Sequence, residues 1–269
     1  MAAPRPFHSY PRAADRSTLG RARTAAFGTI GRWSEARDAV LRSSLVNDHA
    51  HAHAHADRDA FESEREWAEW VRDYYRDIET YDWVDVADHW RGLESVFHRN
   101  RRRAVRRLLR QCRAQPPMLD AGCGTGLNLA SLPAGSVGID LNPRNVALVR
   151  QRLPHQRVLE GDIEDLPFAD GEFATVLCTE VLEHVPYPDR ALAEFRRVLR
   201  PGGQLIGSVP ARSLVWHFRF LSSTCPRDEP FHNEYVPDEV AEMLRSFDRV
   251  RIWYSVLRFN VLFVAQRGE

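Results

Sequence analysis

From Pro116 onward the chain alternates short apolar runs with longer stretches of helical spacing, and this alternation limits its fold more than any other feature of the sequence. Runs that short fit strands. A helix between each pair carries the chain back to begin the next strand parallel to the last, the pattern of βαβ units in one sheet. The spacing predicts strands over 118–121, 137–141, 157–160, 173–178 and 204–209. Two further runs, 249–255 and 259–266, lie close enough to pair as an antiparallel hairpin at the sheet edge. The expected class is α/β with seven strands, and 269 residues leave room for one large domain with appendages.

The chain before Pro116 has another character. Residues 1–60 are rich in small residues, Arg, Ser and Pro and end in the His-Ala run from His49 to His55, so they read as a low-complexity tail. The imidazoles of that run suit a transition metal, but no Cys or carboxylate framework fixes a geometry. Six Arg against one acid, Asp15, in residues 1–34 also fit an organelle transit peptide. Residues 61–113 are expected to be helices. The stretch 57–95 carries thirteen acids and five Arg, with aromatics from Trp67 to Trp90, whereas 99–113 carries eight Arg and no acid. Phe97, Ala104, Val105, Leu108, Leu109 and Cys112 recur at helical spacing, which predicts one buried face and an arginine-covered back. The two opposite blocks are expected to be solvated or to pair with each other, with a phosphate- or lipid-headgroup-binding surface as the alternative.

The charge arithmetic removes whole classes of chemistry. Thirty-seven acids balance 37 basic residues, so no net field draws duplex DNA to the chain. The sequence contains no lysine, which excludes Schiff-base chemistry and a phosphate loop ending in Gly-Lys-Ser/Thr. Any base must be His, Asp, Glu, Tyr or Cys. No run of eighteen apolar residues suggests a membrane span, and four cysteines without CxxC spacing read as reduced thiols in the cytoplasm. The oligomeric state is left open.

The first strand of the alternating region runs into Leu119-Asp120-Ala121-Gly122-Cys123-Gly124-Thr125-Gly126, and Leu127–Ala130 is expected to begin a helix. Glycines here let the backbone turn tightly and approach a ligand at a helix N-terminus. A dinucleotide fingerprint would need glycine at 127, where Leu stands. Asp140, at the end of the second strand, can accept both hydroxyls of a ribose. Asp162 and Ile163, after the third, suit an adenine by its amino group and its face. A Gly-rich turn or a strand-end Asp alone often just shapes a loop. Three such elements in this order are specific.

With LDAGCGTG, GIDLNP, GDIEDLPFADGEFATVLCTEVLEHV and RRVLRPGGQLIGSVP on one chain, the sequence resembles the class I S-adenosylmethionine-dependent methyltransferases, closely over 116–210 and more loosely to the end. The resemblance implies a Rossmann-like seven-stranded sheet with helices on both faces and the last strand antiparallel, a methyltransferase domain over 114–269, and S-adenosylmethionine as cofactor. It places Asp120, Gly122, Gly124 and Gly126 at the methionine and ribose part, Asp140 with Leu141 at the ribose, Asp162 and Ile163 at the adenine, and Thr179 near the methyl. The stretch Trp90–Arg103 is similar to the N-terminal helix of ubiquinone-biosynthesis O-methyltransferases, in which an arginine grips the cofactor carboxylate. Arg103, or Arg99, would be that residue.

Chemistry is expected after the fourth strand, where Glu183 and His184, with His232 further on, are the catalytic candidates. His217 and Tyr235 are further possible bases. Glu180, Glu183 and His184 also form a candidate divalent metal site, as in the ubiquinone O-methyltransferases and small-RNA 3′-end methyltransferases. The alternative is that LEHV starts a helix and its side chains line the pocket. Residues 211–236 form a long aromatic insertion at the strand ends, where a substrate lid is expected. The Asn/Asp-Pro-Pro-aromatic signature of DNA amino-methylating enzymes is absent. The expected acceptor is a small or lipid-like molecule, methylated at oxygen. The rivals are RNA 3′-end or protein methylation and a non-catalytic cofactor- or metal-binding protein.

Overall fold

The computed structural model describes residues 58, 61–79, 82–90, 92–213 and 233–269. Residues 1–34, the His-Ala run, most of the 211–236 insertion, His217 and His232 lie outside the described residues.

Among the described residues three helices come first: α1 (Glu64–Asp77), α2 (Trp83–Asp88) and α3 (Leu93–Gln111). The sheet region follows as β1 (Met118–Ala121), β2 (Val137–Asp140), α4 (Pro143–Arg152), β3 (Arg157–Glu160), β4 (Phe173–Thr179), α5 (Pro188–Val198), β5 (Leu199–Pro210), α6 (Pro237–Met243), β6 (Asp248–Tyr254) and β7 (Asn260–Gln266). The strands form one seven-stranded sheet in the order β3-β2-β1-β4-β5-β7-β6. β1 to β5 pair in parallel, while β7 runs antiparallel between β5 and β6. The strand order reverses direction at β1 and β4, so the ends of β1, β2 and β4 open onto one crevice, the place where open α/β sheets bind ligands.

Alternate residues along each strand feed two cores, as the period of two requires. Leu119, Ala121, Cys178, Leu205, Val209, Val261 and Phe263 pack on one face with Ala191, Leu192, Phe195 and Val198 of α5 and Val240 of α6. Met118, Leu177, Ile206, Leu262 and Val264 pack on the other with Val105 and Leu108 of α3 and Val146 and Val149 of α4. Helices cover both faces, and α3 shares the core of the sheet. Among the described residues no helix is long and apolar enough to cross a membrane.

Two local expectations are corrected. Instead of a helix from Leu127, the chain makes one 3-10 turn, Leu129–Ser131. Leu132 precedes Pro133 and is extended (φ −84°, ψ 157°), as the residue before a proline prefers, so the helix has no room to grow. LEHV likewise forms only a 3-10 turn, Leu182–His184, and α5 begins later at Pro188. Among the described residues the acidic and arginine blocks meet where Arg102 pairs with Asp88 at 2.7 Å and Arg99 donates to the carbonyls of Ala87 and Asp88. Exposed Arg103, Arg106, Arg107 and Arg110 point outward because the buried face of α3 follows Phe97, Val105 and Leu108.

Candidate active site

The switch point of the sheet holds a cavity of about 240 Å³. Its floor comes from the strand ends: Gly122 and Cys123 after β1, Asp140 and Leu141 at β2, Gly161 to Ile163 after β3, and Thr179 to Val181 after β4. Its roof comes from the N-terminal helices, with Tyr75 of α1, Trp83 of α2 and Phe97, His98 and Arg101 of α3. Gly124 and Gly126 lie in the turn beneath the cavity and Asp120 in β1 behind it, none of the three being among the residues that line it.

The glycine turn is held by Asp140. One carboxylate oxygen accepts the Gly124 amide at 2.7 Å, and the other accepts the Asn142 amide at 3.0 Å and the Asn145 side-chain amide at 3.1 Å. Burial raises the Asp140 carboxyl pKa from its ordinary value, against the opposing pull of the three donors. Gly122, Gly124 and Gly126 all have positive φ, the conformation only glycine adopts without strain. Gly124 has a second constraint: a Cβ there would lie 1.8 Å from Cζ3 of Trp83. The indole of α2 is thus seated directly on the turn.

The roof is fastened by polar contacts at several points. Arg72 of α1 donates to Asp162 at 2.9 Å and also to Glu164. Asn142 caps α4 by accepting the Arg144 amide at 2.9 Å, and its own amide donates to the Ile78 carbonyl at 2.8 Å. Arg152 joins Asp82, the N-cap of α2, at 3.1 Å to the Thr125 carbonyl at 3.0 Å. Asp162, placed by the sequence at an adenine, thus already has Arg72 as a partner.

At the β4 end, Thr179 accepts the Asn128 side-chain amide at 2.7 Å, and both residues are buried. Glu180 follows with φ 56°, a left-handed conformation uncommon for a glutamate, of the kind that gathers at functional sites. Its carboxylate accepts the Ser208 hydroxyl at 2.7 Å. His184 lies with Nδ1 2.9 Å from the Tyr75 hydroxyl and its ring packed on that of Tyr75. The proposed metal set of Glu180, Glu183 and His184 is therefore not assembled. Among the described residues no group of three or more His, Cys, Asp or Glu is arranged to hold an ion. The physical reason is the backbone: without an α-helix here, the three side chains do not share one face. Buried Tyr235 has its hydroxyl pKa pushed well up by burial and by Glu183, so it stays protonated.

Arg103 is also corrected. It is exposed on the back of α3, while Arg101, two residues earlier, lines the cavity with a buried Nε that has no hydrogen-bond partner among the described residues. Arg101 falls four residues after Phe97 and four before Val105, so helical periodicity alone could have selected it. Asn128, Asn142, Asn145, Tyr75 and Trp83 carried no such signal.

Asp120 lies behind Gly122, 2% exposed, with one oxygen lacking a partner among the described residues. Burial and then the charge of Asp140 raise its pKa to about 7, against the pull of the Leu129 amide and Arg101. Between its ordinary value and that one, the unfolded chain has lost a proton that the folded chain keeps, so this group removes stability as pH rises from about 4 to about 7. Asp120→Asn is expected to flatten that slope. Urea midpoints at pH 5 and pH 8 would show the wild type losing at least about 1 kcal/mol more than the variant, and equal losses would contradict this placement.

A methyltransferase-domain family matches residues 119–207. A probable S-adenosylmethionine-dependent methyltransferase of Mycolicibacterium smegmatis is 32% identical over 160 residues, 57% of this chain and 59% of the relative. The phthiotriol/phenolphthiotriol dimycocerosates methyltransferase of Mycobacterium leprae is 41% identical over 95 residues, 33% of this chain and 35% of the relative. The chain thus spans about three fifths and one third of those two curated relatives. The crystal structure of magnesium protoporphyrin IX methyltransferase from Synechocystis is similar in fold, with a TM-score of 0.57 at 18% identity, covering 74% of this chain and 99% of that one. A methyltransferase structure from Thermotoga maritima gives 0.54 at 19% identity, covering 70% and 100%. Residues 119–207 thus form a methyltransferase domain, set in the fold of the class I S-adenosylmethionine-dependent methyltransferases.

Proposed function

We propose that the chain transfers a methyl group from S-adenosylmethionine to an oxygen of a lipid-like or other small hydrophobic acceptor. The observation that carries the reading is the glycine turn fastened to Asp140 at the switch point of the sheet, under a cavity whose other walls are polar at one end and aromatic at the roof. The site fits the cofactor on its own chemistry. Arg101 brings a buried, unmatched guanidinium N–H to the cavity, suited to the methionine carboxylate. Asp140 and Leu141 suit the ribose, and Ile163, with Asp162, suits the adenine. Bound there, the cofactor supplies a methyl already activated on a sulfonium.

The protein's task is then alignment and exclusion of water more than strong acid–base work. The Asn128–Thr179 bond holds a polar pair at the β4 end, and Tyr75, Trp83 and Phe97 keep the space above it apolar. The likeness to phthiotriol methyltransferases supports a lipid-like acceptor. Transfer to RNA or to an acidic protein would use the arginine stripe on the back of α3, but that stripe faces away from Phe97, His98 and Arg101, which line the cavity.

Incubating the protein with methyl-labelled cofactor and fractionated cell extract tests the reading. Label is expected in the organic-solvent-soluble fraction, insensitive to chelator. Label in RNA or protein would overturn the acceptor class.

A further inference from the structure

Positions facing inward from α3 are apolar at Phe97, Val105 and Leu108, yet the same side also carries Glu94, His98 and Arg101, spaced four and three residues apart. His98 and Arg101 line the cavity. Glu94 is fully buried and His98 is 2% exposed, with Nε2 of the imidazole 3.5 Å from Oε2 of the glutamate. A buried carboxylate beside an imidazole favours the protonated ring, and this imidazole stands on the cavity wall.

We propose that His98 is the general base of methyl transfer, taking the acceptor's hydroxyl proton, and that Glu94 is its positioning residue, holding the ring and stabilising the imidazolium. The proposal rests on the methyltransferase reading. As the acceptor oxygen forms its bond to the methyl carbon, the carbon–sulfur bond breaks with its electron pair going to sulfur, and the hydroxyl proton passes to the His98 imidazole. The dyad logic is that of a buried carboxylate backing a histidine. Three of the described candidates have different employment. His184 is packed on Tyr75 and within hydrogen-bond reach of its hydroxyl, the Glu180 carboxylate accepts from Ser208, and Tyr235 is held protonated. The ionisable groups sharing the cavity with His98 are Arg101 of its own helix, Cys123 after β1, Asp140 at the end of β2, Asp162 after β3, Glu180, Glu183 and His184 after β4, and Arg72, Tyr75 and Glu79 of the roof.

The test is an NMR titration of the His98 ring in the full chain, assigned with His98→Gln, in the presence of S-adenosylhomocysteine, which is neutral at sulfur, and of sinefungin, which carries an ammonium near that position. A base within reach of the reacting methyl has its titration midpoint lowered by about one pH unit or more in the sinefungin complex relative to the other, through repulsion between two cations. Glu94→Gln is expected to lower the midpoint in both complexes while leaving the affinity for S-adenosylhomocysteine unchanged. Identical His98 midpoints in the two complexes would overturn the proposal and leave the cofactor reading standing. Failure of both ligands to bind would overturn the cofactor reading, and this proposal with it. In the label-transfer assay, His98→Gln is expected to slow transfer by about a hundredfold or more with binding of S-adenosylhomocysteine retained, and an undiminished rate would also overturn it.

Discussion

Replacing Gly124 with alanine is expected to cost the protein about 3 kcal/mol of stability and to weaken binding of S-adenosylhomocysteine at least a hundredfold. Two penalties combine. The residue sits at φ 52°, and the new methyl would lie 1.8 Å from Cζ3 and 2.5 Å from Cε3 of Trp83. The indole cannot simply swing away, because α2 is tied through Asp82 and Arg152 to the Thr125 carbonyl next to the glycine. Gly135 separates the two penalties: its φ is 84°, and a Cβ there would meet nothing within 4 Å. Gly135→Ala should therefore show only the backbone cost of about 1 kcal/mol. Adding Trp83→Ala to Gly124→Ala should be less damaging than the sum of the two single changes, since the first removes what the second collides with. Urea unfolding and calorimetric binding read all four variants. Equal losses for Gly124→Ala and Gly135→Ala would mean that the roof does not rest on the turn.

Asp140→Ala should show an effect of similar size by another route. Its carboxylate satisfies the Gly124 amide, the Asn142 amide and the Asn145 side chain, and leaving buried donors unmatched costs about 1–3 kcal/mol each before relaxation or entering water. Because Asp140 also lines the cavity, affinity for S-adenosylhomocysteine should fall at least a hundredfold at a temperature where the variant is still folded. Circular dichroism establishes the folded range, and titration calorimetry reads the affinity. A variant that is destabilised but binds normally would make Asp140 a support of the turn with no part in holding ligand.

The strands were legible in the sequence because short apolar runs bounded by Gly, Pro and Asp leave few alternatives to a buried parallel strand. The glycine turn was legible because positive φ and close approach demand glycine at spaced positions. The start of β5 was less so: Leu199-Arg200-Pro201-Gly202-Gly203 has turn composition, yet Leu199 already pairs with Phe173 through a register shift. The roof was not legible at all. That Arg72 would find Asp162, or Trp83 cover Gly124, depends on how α1 and α2 dock, and no local pattern records docking. The likeness to the ubiquinone O-methyltransferase helix points to Arg103 or Arg99 whereas the helix period points to Arg101, and the metal set presumes an α-helix where Glu180 turns the chain left-handed.

Thermal unfolding of the wild-type chain with and without S-adenosylhomocysteine tests the central claim most directly. The account predicts stabilisation that grows with ligand concentration, by about 2.7 kcal/mol at one hundred times Kd, and that is absent in Asp140→Ala. An unchanged transition with S-adenosylhomocysteine and with S-adenosylmethionine, up to millimolar concentration, would contradict it.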